Sequence, residues 1–232
     1  MTTAVTSLPK PTALITGASR GLGAAIAREL APSYELLLGA RSADALGPIL
    51  AELPGATGWP VPLTDYAAVA AAVPEIERLD VLVHNAGIAD LGTIAESSVE
   101  QWRNTLEANV IAVAELTRLL LPALRRSGGH VVLINSGAGL RANAGWASYA
   151  ASKFALKAFG DALRLEEPQL RVTSIHPGRI DTDMQREIIA GEGREYQPEE
   201  FLTPQTVAWT VRNALDTPRD AHPTEIVLRP FG

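Results

Sequence analysis

Short apolar runs alternate with helically spaced apolar residues along almost the whole chain, and this pattern constrains the fold most strongly. Strand-like runs lie at 12–16, 35–39, 58–63, 80–84, 130–135, 171–176 and 225–228, and helical patterns lie at 22–30, 42–50, 65–73, 99–126, 146–166 and 204–215. Strands that are apolar on both faces and separated by helices predict a parallel sheet covered on both sides. We therefore expect one α/β domain, a Rossmann-type doubly wound sheet of about seven strands.

The bulk composition is that of one soluble globular domain. The chain has 232 residues, of which 47% are hydrophobic and 20% are charged. We expect this domain to span 1–232, with a flexible segment at 1–10. The absence of cysteine excludes disulfides, thiolate metal sites and cysteine nucleophiles, and it fits a reducing cytoplasm. The four histidines are scattered, so we expect no metal site.

The charge pattern argues against two classes of partner. The formal net charge is −6 and no block of Lys or Arg is present, so we expect no binding to nucleic acid. The longest apolar stretch, near 110–124, contains Glu115 and Arg118, so we expect no membrane span. The polar N-terminus does not resemble a signal peptide, and we expect a cytoplasmic protein.

A glycine-rich segment joins the first predicted strand to the first predicted helix. It reads Gly17-Ala18-Ser19-Arg20-Gly21-Leu22-Gly23. Glycines at this junction permit a tight turn and a close approach of backbone to a pyrophosphate, which the N–H groups at the helix start then bind. A glycine triplet alone is a weak signal, but its place between strand and helix predicts a dinucleotide site.

The end of the second predicted strand indicates which dinucleotide binds. NAD sites usually have an acidic residue there, whereas this chain reads Gly39-Ala40-Arg41. Arg41, with Arg20 in the glycine segment, can bind a 2′-phosphate through paired N–H donors. The alternative is that both arginines lie on a solvated surface. The sequence favours NADPH and NADP+ over NADH.

Tyr149 and Lys153 are four residues apart and share one face of a predicted helix. A free tyrosine has a pKa near 10, and a neighbouring ammonium typically lowers such a pKa by about 1–3 units. Ser136, just after the fifth predicted strand, can bond the substrate oxygen while the tyrosine exchanges a proton with it. On most helices a Tyr-x-x-x-Lys pair is only a surface pair, but here it follows the dinucleotide segment and the serine.

Six elements in this order resemble the compact, single-domain branch of the short-chain dehydrogenase/reductase family, over essentially the whole chain. They are Thr16–Gly23, Asn85-Ala86-Gly87, Asn109, Ser136, the pair Tyr149 and Lys153, and Pro177-Gly178. The resemblance implies an NADPH-dependent carbonyl reductase or alcohol dehydrogenase that moves a hydride between nicotinamide and a carbonyl or secondary alcohol.

The resemblance also implies a role for each matching position. Tyr149 would be the general acid–base, Lys153 would bind the ribose and lower the pKa of the tyrosine, Ser136 would orient the carbonyl, and Asn109 would anchor a water on the proton path. A helix asparagine that bonds nearby backbone is the alternative for Asn109. Cofactor contacts are implied at Gly17, Ser19, Arg20, Gly21, Leu22, Gly23, Arg41, Leu63, Asn85, Ala86, Gly87, Tyr149, Lys153, Pro177, Gly178, Ile180 and Thr182.

The sequence departs from the family pattern at several positions. His84 replaces an asparagine, and we interpret it as structural. Pro62 replaces an aspartate next to the adenine contact, and Asp65 is not expected to substitute for it. Asn135 replaces a serine before Ser136 without expected harm. We also interpret His176 as a buried, hydrogen-bonded residue rather than a second acid–base.

The substrate pocket is expected near Tyr149 but its ligand is not named by the sequence. Its predicted walls are Ser136, Gly137, Ala138, Leu140, Asn143, Trp146 and Met184, together with a flexible-looking substrate-loop region at 183–203 that is either a lid or a solvated loop. Arg141 or Arg179 would favour an acidic substrate, unless they face solvent. The helices at 99–126 and 146–166 are expected to form a homodimer or homotetramer.

Two other functions use the same fold. A non-catalytic NADP(H)-binding sensor is expected to lack the proton-transfer residues, all of which are present here. Enzymes that epimerise or dehydrate nucleotide sugars usually have a larger C-terminal substrate region than the stretch that follows Pro177-Gly178.

Overall fold

Seven parallel strands form one sheet in the computed structural model, which describes residues 10–231. The strands are β1 (Thr12–Ile15), β2 (Glu35–Ala40), β3 (Thr57–Pro60), β4 (Val81–His84), β5 (His130–Ile134), β6 (Arg171–His176) and β7 (Glu225–Val227). Their order across the sheet is β3-β2-β1-β4-β5-β6-β7. This is the predicted doubly wound arrangement, and the strand order reverses between β1 and β4.

Eight α-helices cover the two faces of the sheet within the described part of the chain. They are α1 (Gly21–Leu30), α2 (Ala43–Glu52), α3 (Tyr66–Ala72), α4 (Val99–Leu106), α5 (Ala112–Ser127), α6 (Ala147–Glu166), α7 (Asp183–Gly191) and α8 (Pro204–Asp216). Several start at a side chain that accepts a backbone N–H of the first turn, as Ser42 does for α2 and Thr203 for α8.

Two hydrophobic cores lie on opposite faces of the sheet. Ile15 of β1 packs into the core that contains Ile26 of α1, whereas its neighbour Leu14 packs into the core that contains Leu116 of α5. Successive side chains of a strand point to opposite faces, so a strand buried on both sides must be apolar throughout. This explains the continuous apolar runs in the sequence.

The helix predicted over 99–126 is not uniform. A π-helical segment, Glu107–Ile111, separates α4 from α5. The wider turn accompanies an inward-facing Asn109. Its side-chain oxygen accepts the N–H of Ile88, and its side-chain amide donates to the carbonyl of Ile88. Residues 107–111 themselves contain no glycine or proline that would indicate this widening.

Two other predicted segments differ from the structure. The strand predicted at 58–63 is β3, which ends at Pro60, because neither Pro60 nor Pro62 has an N–H to extend the ladder. The flexible-looking region 183–203 contains α7, which Thr182 caps through Gln185 N–H. The expected flexible segment 1–10 falls, up to residue 9, outside the described residues. No helix within 10–231 combines the length and the apolar character that crossing a membrane requires.

Candidate active site

The carboxyl ends of β1 and β4 are joined at the point where the strand order reverses. Thr16, just after β1, accepts the backbone N–H groups of Asn85 and Ala86 at 3.0 and 3.1 Å on its hydroxyl. Asn85 in turn donates its side-chain amide to the carbonyls of Thr16 and Gly17 at 3.0 and 3.1 Å. These bonds fix the glycine segment against the loop that follows β4, at the edge where such folds bind ligands.

Two glycines of this segment leave no room for a side chain. Gly17 has φ +65°, and a Cβ added there would lie 2.9 Å from the Cα of Ala86. A Cβ at Gly23 would overlap the carbonyl of Gly17. α1 begins at Gly21, so the first N–H groups of the helix have no partner within it and face this same segment. The result is a cradle of backbone donors that suits a phosphate.

Arg20 and Arg41 lie at this end of the sheet, as predicted for residues that bind a 2′-phosphate. Arg41 directly follows β2 and is exposed. Ala18 N–H donates to the Gly39 carbonyl at 2.9 Å, which connects the glycine segment to the end of β2. Arg20 pairs with Asp183, with 69% and 61% of their side chains exposed. An ion pair so exposed stabilises the fold by roughly 0–1 kcal/mol, so Asp183 holds Arg20 only weakly.

The adenine end of the predicted cofactor site has fewer polar groups. Leu63 follows β3 and packs partly buried against the core. Asp65 is used as the cap of α3, because its carboxylate accepts Ala68 N–H at 3.0 Å. The expectation that Asp65 does not replace the missing aspartate therefore agrees with its bonding.

Ser136, Tyr149 and Lys153 come together where β5 ends and α6 begins. Ser136 follows β5 by two residues, and its hydroxyl lies beside the Tyr149 phenol. Lys153, one turn after Tyr149 on α6, lies 5.7 Å from the centre of the tyrosine ring. Its ammonium donates to the Ile134 carbonyl at 3.1 Å and is buried.

Burial controls the acid–base strength of this cluster. It raises the pKa of the Tyr149 phenol, and the neighbouring Ser136 hydroxyl only partly opposes that rise. Burial also lowers the pKa of the Lys153 ammonium to about 8. The predicted lowering of the tyrosine pKa by Lys153 stays a prediction, because the net rise reflects loss of hydration, which disfavours both the phenolate and the ammonium.

Asn109 is buried beneath this cluster and its side chain is fully engaged. Its oxygen accepts Ile88 N–H at 2.9 Å, and its two N–H groups bond the Ile88 carbonyl and the Ser152 hydroxyl at 2.9 and 3.0 Å. This matches the structural interpretation of the residue. The predicted water on a proton path stays a prediction, and the side-chain amide has no donor left for it.

The segment after β6 lies beside the serine. Gly137 N–H donates to the Pro177 carbonyl at 2.8 Å, and Gly178 N–H donates to the Leu228 carbonyl at 2.9 Å. Ile180 forms a parallel bridge with Leu202. Thr182 uses its hydroxyl to cap α7 and to bond the Ile180 carbonyl at 3.3 Å. The predicted cofactor contacts on this segment are thus placed at the site edge.

The predicted pocket walls lie unevenly around Tyr149. The ring of Trp146 contacts that of Tyr149 edge to face, with 5.8 Å between the centroids. Met184 is 40% exposed on the first turn of α7, and Ala138 is almost fully buried. Gly137 lies under the guanidinium of Arg229, which a Cβ at this glycine would approach to 3.2 Å. Arg141 is exposed, whereas Arg179 lies over the ring of Trp146.

The two histidines at strand ends are buried and bonded, in agreement with their structural interpretation. His84 bonds the Thr117 hydroxyl at 2.8 Å, and burial lowers its pKa to about 3. His176 bonds the Ser136 carbonyl at 3.2 Å through Nδ1, and burial lowers its pKa as well. Both rings are therefore neutral near pH 7, and His176 helps to fix the backbone of Ser136.

Asn135 is the positioning residue that the sequence did not identify. Its oxygen accepts Ser136 N–H at 2.8 Å and its amide donates to the Lys153 carbonyl at 3.1 Å. Arg229, which donates to the carbonyls of His176 and Leu228 at 3.4 and 3.0 Å, was likewise not singled out. The only available signal for Asn135 was its position directly before Ser136.

A family model described as short chain dehydrogenase matches residues 11–193. The chain is 39% identical over 201 residues to dehydrogenase/reductase SDR family member 7B of Bos taurus, covering 79% of this chain and 62% of that protein. It is 36% identical over 199 residues to trans-4-hydroxycyclohexanecarboxylate dehydrogenase of Sinomonas cyclohexanicum, covering 78% and 77%. A third relative is glycine betaine reductase ATRR of Emericella nidulans, which is 35% identical over 94% of this chain. This chain spans only 18% of the length of that protein.

Solved structures share the whole fold. An alcohol dehydrogenase from the archaeon Thermococcus sibiricus, complexed with 5-hydroxy-NADP, superposes with a TM-score of 0.86 at 31% identity, covering 95% of this chain and 97% of that one. An actinorhodin polyketide ketoreductase variant with NADPH superposes with a TM-score of 0.88 at 27% identity, covering 95% and 96%.

Proposed function

This chain belongs to the short-chain dehydrogenase/reductase family, and from that premise we propose that it is an NADPH-dependent oxidoreductase that interconverts a carbonyl and a secondary alcohol, with Tyr149 as the general acid–base. The observation that carries the proposal is the cluster of the half-buried Ser136 and Tyr149 with the buried Lys153 at the carboxyl edge of the sheet. A surface Tyr-x-x-x-Lys pair would be solvated, whereas this lysine is buried next to the phenol.

The residues present fit a nicotinamide dinucleotide. Gly17 and Gly23 form a backbone cradle that a Cβ would fill, which suits a pyrophosphate. Arg20 and Arg41 would bind the 2′-phosphate, and the exposed partner of Arg20 is weakly held. These features favour NADP(H), and relatives with NADP or NADPH bound share the fold.

When bound, NADPH would supply a hydride to the carbonyl carbon of the substrate. The chain's own residues would handle the oxygen of that carbonyl. Ser136 would donate a hydrogen bond to it, and Tyr149 would deliver the proton that completes the alcohol. A phenol whose pKa is raised by burial is protonated at neutral pH and so is ready to act as the acid in this direction.

Lys153 would act on the same step through charge. Its ammonium lies close to the tyrosine ring and would stabilise the phenolate that remains after the proton has left. Its main-chain carbonyl is held by Asn135, so the lysine and Ser136 keep a fixed relation through one side chain. In the reverse direction the phenolate would accept the alcohol proton.

The substrate proposed is a small organic carbonyl compound. One relative is named for a carboxylate-bearing cyclohexanol, and this encourages a search among cyclic and acidic alcohols and ketones. The aromatic wall formed by Trp146 next to Tyr149 suits a ring of that size.

Self-association and cytoplasmic location complete the proposal. Ile111, next to α5, and Phe154 of α6 are 48% and 44% exposed, although both are large apolar residues. Burying such side chains between copies is favourable by about 25 cal/mol per Å² of apolar surface. We propose a homodimer or homotetramer through these helices, and sedimentation velocity of the full chain tests it: a single monomeric species at micromolar concentration contradicts it.

The test of activity is NADPH oxidation, followed by absorbance, with a panel of ketones, aldehydes, diketones and quinones, and NADP+ reduction with trans-4-hydroxycyclohexanecarboxylate. Tyr149→Phe is the paired variant, because it removes the hydroxyl and keeps the ring against Trp146. We expect turnover by the wild type and a loss of about 100-fold or more in kcat in the variant. Tight NADPH binding without turnover of any compound would instead support a non-catalytic sensor.

A further inference from the structure

We propose that Arg179 binds an anionic group of the substrate, and that the carboxylate of Glu192 occupies this binding position until a substrate displaces it. The inference rests on the proposed function and specifies its substrate class: carbonyl compounds, or the corresponding alcohols, that bear a carboxylate away from the reacting carbon.

Arg179 lies on the wall of the site. It follows Gly178 directly after β6, and its guanidinium carbon is 5.3 Å from the centre of the Trp146 ring. Trp146 in turn contacts Tyr149 edge to face. The cation and the ring of the proton-transfer group therefore both lie against the Trp146 ring, so a substrate that lies along this wall from Tyr149 reaches Arg179.

The contact between Arg179 and Glu192 has the geometry of carboxylate recognition. Two guanidinium nitrogens donate to the two carboxylate oxygens at 2.9 and 2.5 Å. Paired N–H donors on a planar fork match a carboxylate better than a single ammonium does. The side chains of Arg179 and Glu192 are 31% and 26% exposed. A substrate anion can therefore reach Arg179, and enough water is excluded for Arg179 to favour a charged ligand over a neutral one.

Glu192 is poorly placed to hold this position against a competing anion. It is the residue at the C-terminal end of α7, where the partial negative charge of the helix disfavours a carboxylate. It lies between Gly191 and Gly193, and Gly193 has φ +66°, so the chain can move here at low cost. A substrate carboxylate suffers neither disadvantage.

A second arginine makes the exchange possible without an unpaired charge. Arg194 lies 3.6 Å from Glu192 and also pairs with Glu200 at 3.0 Å. When a substrate anion takes Arg179, Glu192 can remain with Arg194. Because an uncompensated charge is costly away from bulk water, this alternative partner lowers the barrier to the exchange.

The arrangement also limits where the anion sits on the substrate. The guanidinium and the tyrosine both contact one tryptophan ring at different places, so we expect the carboxylate and the carbonyl to lie at opposite ends of a ring-sized molecule. Acids whose carbonyl is next to the carboxylate do not span this distance, and we expect no preference for them.

The test compares 4-formylbenzoate with its neutral methyl ester, which differ in charge at the far end of the ring. We expect the wild type to favour the acid in kcat/KM by about tenfold, and Arg179→Gln to remove that preference. Glu192→Gln removes the carboxylate that competes for Arg179, so the preference of this variant for the acid over the ester should be larger than that of the wild type. Arg186→Gln is the matched control, because Arg186 lies on α7 and pairs with Asp181 at 3.1 Å instead. Its preference should stay within about twofold of the wild type.

A binding measurement keeps the inference testable if neither aldehyde is reduced. Ligand-observed NMR titrations of benzoate and benzamide, in the presence of NADP+, should show tighter binding of benzoate in the wild type and equal binding in Arg179→Gln. Equal binding of the two compounds to the wild type overturns the inference, as does a preference that Arg141→Gln removes and Arg179→Gln does not. Turnover of neutral carbonyls without any acid preference would leave the proposed function intact and overturn only this inference.

Discussion

The side-chain amide of Asn135 donates to the main-chain carbonyl of Lys153 at 3.1 Å, while its oxygen accepts the N–H of Ser136 at 2.8 Å. One buried side chain thus connects the end of β5 to the middle of α6. The residue lies outside the expected proton-transfer group, yet it determines how two members of that group are spaced.

We predict that Asn135→Ala lowers kcat by about tenfold while the KM for NADPH changes little. The substitution leaves the Ser136 N–H without its acceptor, at a cost of about 1–3 kcal/mol, and removes the second bond to the Lys153 carbonyl, which keeps its bond within α6. Asn135→Asp keeps the acceptor for Ser136 but places a buried carboxylate oxygen against the Lys153 carbonyl, so kcat should fall at least as much. Steady-state kinetics and melting temperatures check this, and an unchanged kcat in Asn135→Ala would show that the spacing is held by other contacts.

We predict that carbonyl reduction declines as pH rises through about 8. Burial lowers the pKa of Lys153 to about 8, whereas it raises the pKa of Tyr149, so the ammonium loses its proton first. Lys153→Arg keeps its charge at all these pH values, so its residual activity should stay flat across the same range. The check is kcat/KM from pH 6 to 10, and an identical decline in the variant would assign it to another group.

We predict that the free energy of unfolding falls as pH falls from about 6.5 to about 3. Burial lowers the pKa of His84 and of His130 to about 3. Between these pH values the two histidines are therefore protonated in the unfolded chain and neutral in the folded chain. Each ring donates Nε2–H to a threonine and leaves a buried Nδ1 without a partner. At about pH 3, protonation of these two histidines in the unfolded chain lowers the free energy of unfolding by on the order of 4 kcal/mol per ring.

Urea unfolding at several pH values measures this slope. His84→Gln should flatten it, and His222→Gln, at a partly exposed histidine, should flatten it less. Equal slopes for the wild type and His84→Gln would mean that other groups cause the acid sensitivity.

We predict that Arg41→Asp shifts the cofactor preference from NADPH toward NADH by about 100-fold. The change removes a donor to a 2′-phosphate and supplies an acceptor for ribose hydroxyls. Arg28→Gln, at an exposed arginine that pairs with Glu52 on the outside of α1, should leave the preference unchanged. The measurement is the KM for NADPH and for NADH in each variant. An unchanged ratio of the two KM values in Arg41→Asp would show that Arg41 faces solvent and does not contact the cofactor.

We predict that Asp183→Asn tightens NADPH binding by about two- to fivefold and leaves NADH binding unchanged. Asp183 pairs with Arg20, and removing its charge frees the guanidinium for a 2′-phosphate. Fluorescence titration of the reduced cofactors measures the difference. An equal increase in affinity for both cofactors would mean that Arg20 does not bind the 2′-phosphate.

The sequence predicted the sheet and the identity of the clustered residues because both depend on local pattern. Continuous apolar runs required burial on both faces, and loops after β1 and β5 had to lie at one edge. The spacing of Tyr149 and Lys153 required a shared helix face. Each of these inferences uses residues that are close together in the chain.

What the sequence did not predict depends on contacts between distant residues. Nothing near Arg20 indicates a partner at Asp183, and nothing near Asn135 indicates the Lys153 carbonyl. The rise in the pKa of Tyr149 was not predicted for the same reason, since the hydration of the phenol depends on how distant segments pack around it. The π-helical segment around Asn109 requires knowledge of the Ile88 backbone.

The strand order has a consequence for how the chain acquires its fold. β1 lies inside the sheet between β2 and β4, and its register pairs Ala13 with Val81. During synthesis β1 and β2 can pair early, but one edge of β1 stays open until β4 has left the ribosome. An open edge of an apolar strand is a template for pairing with other chains. Nascent chains halted before Val81 are therefore the form of this protein most prone to aggregation.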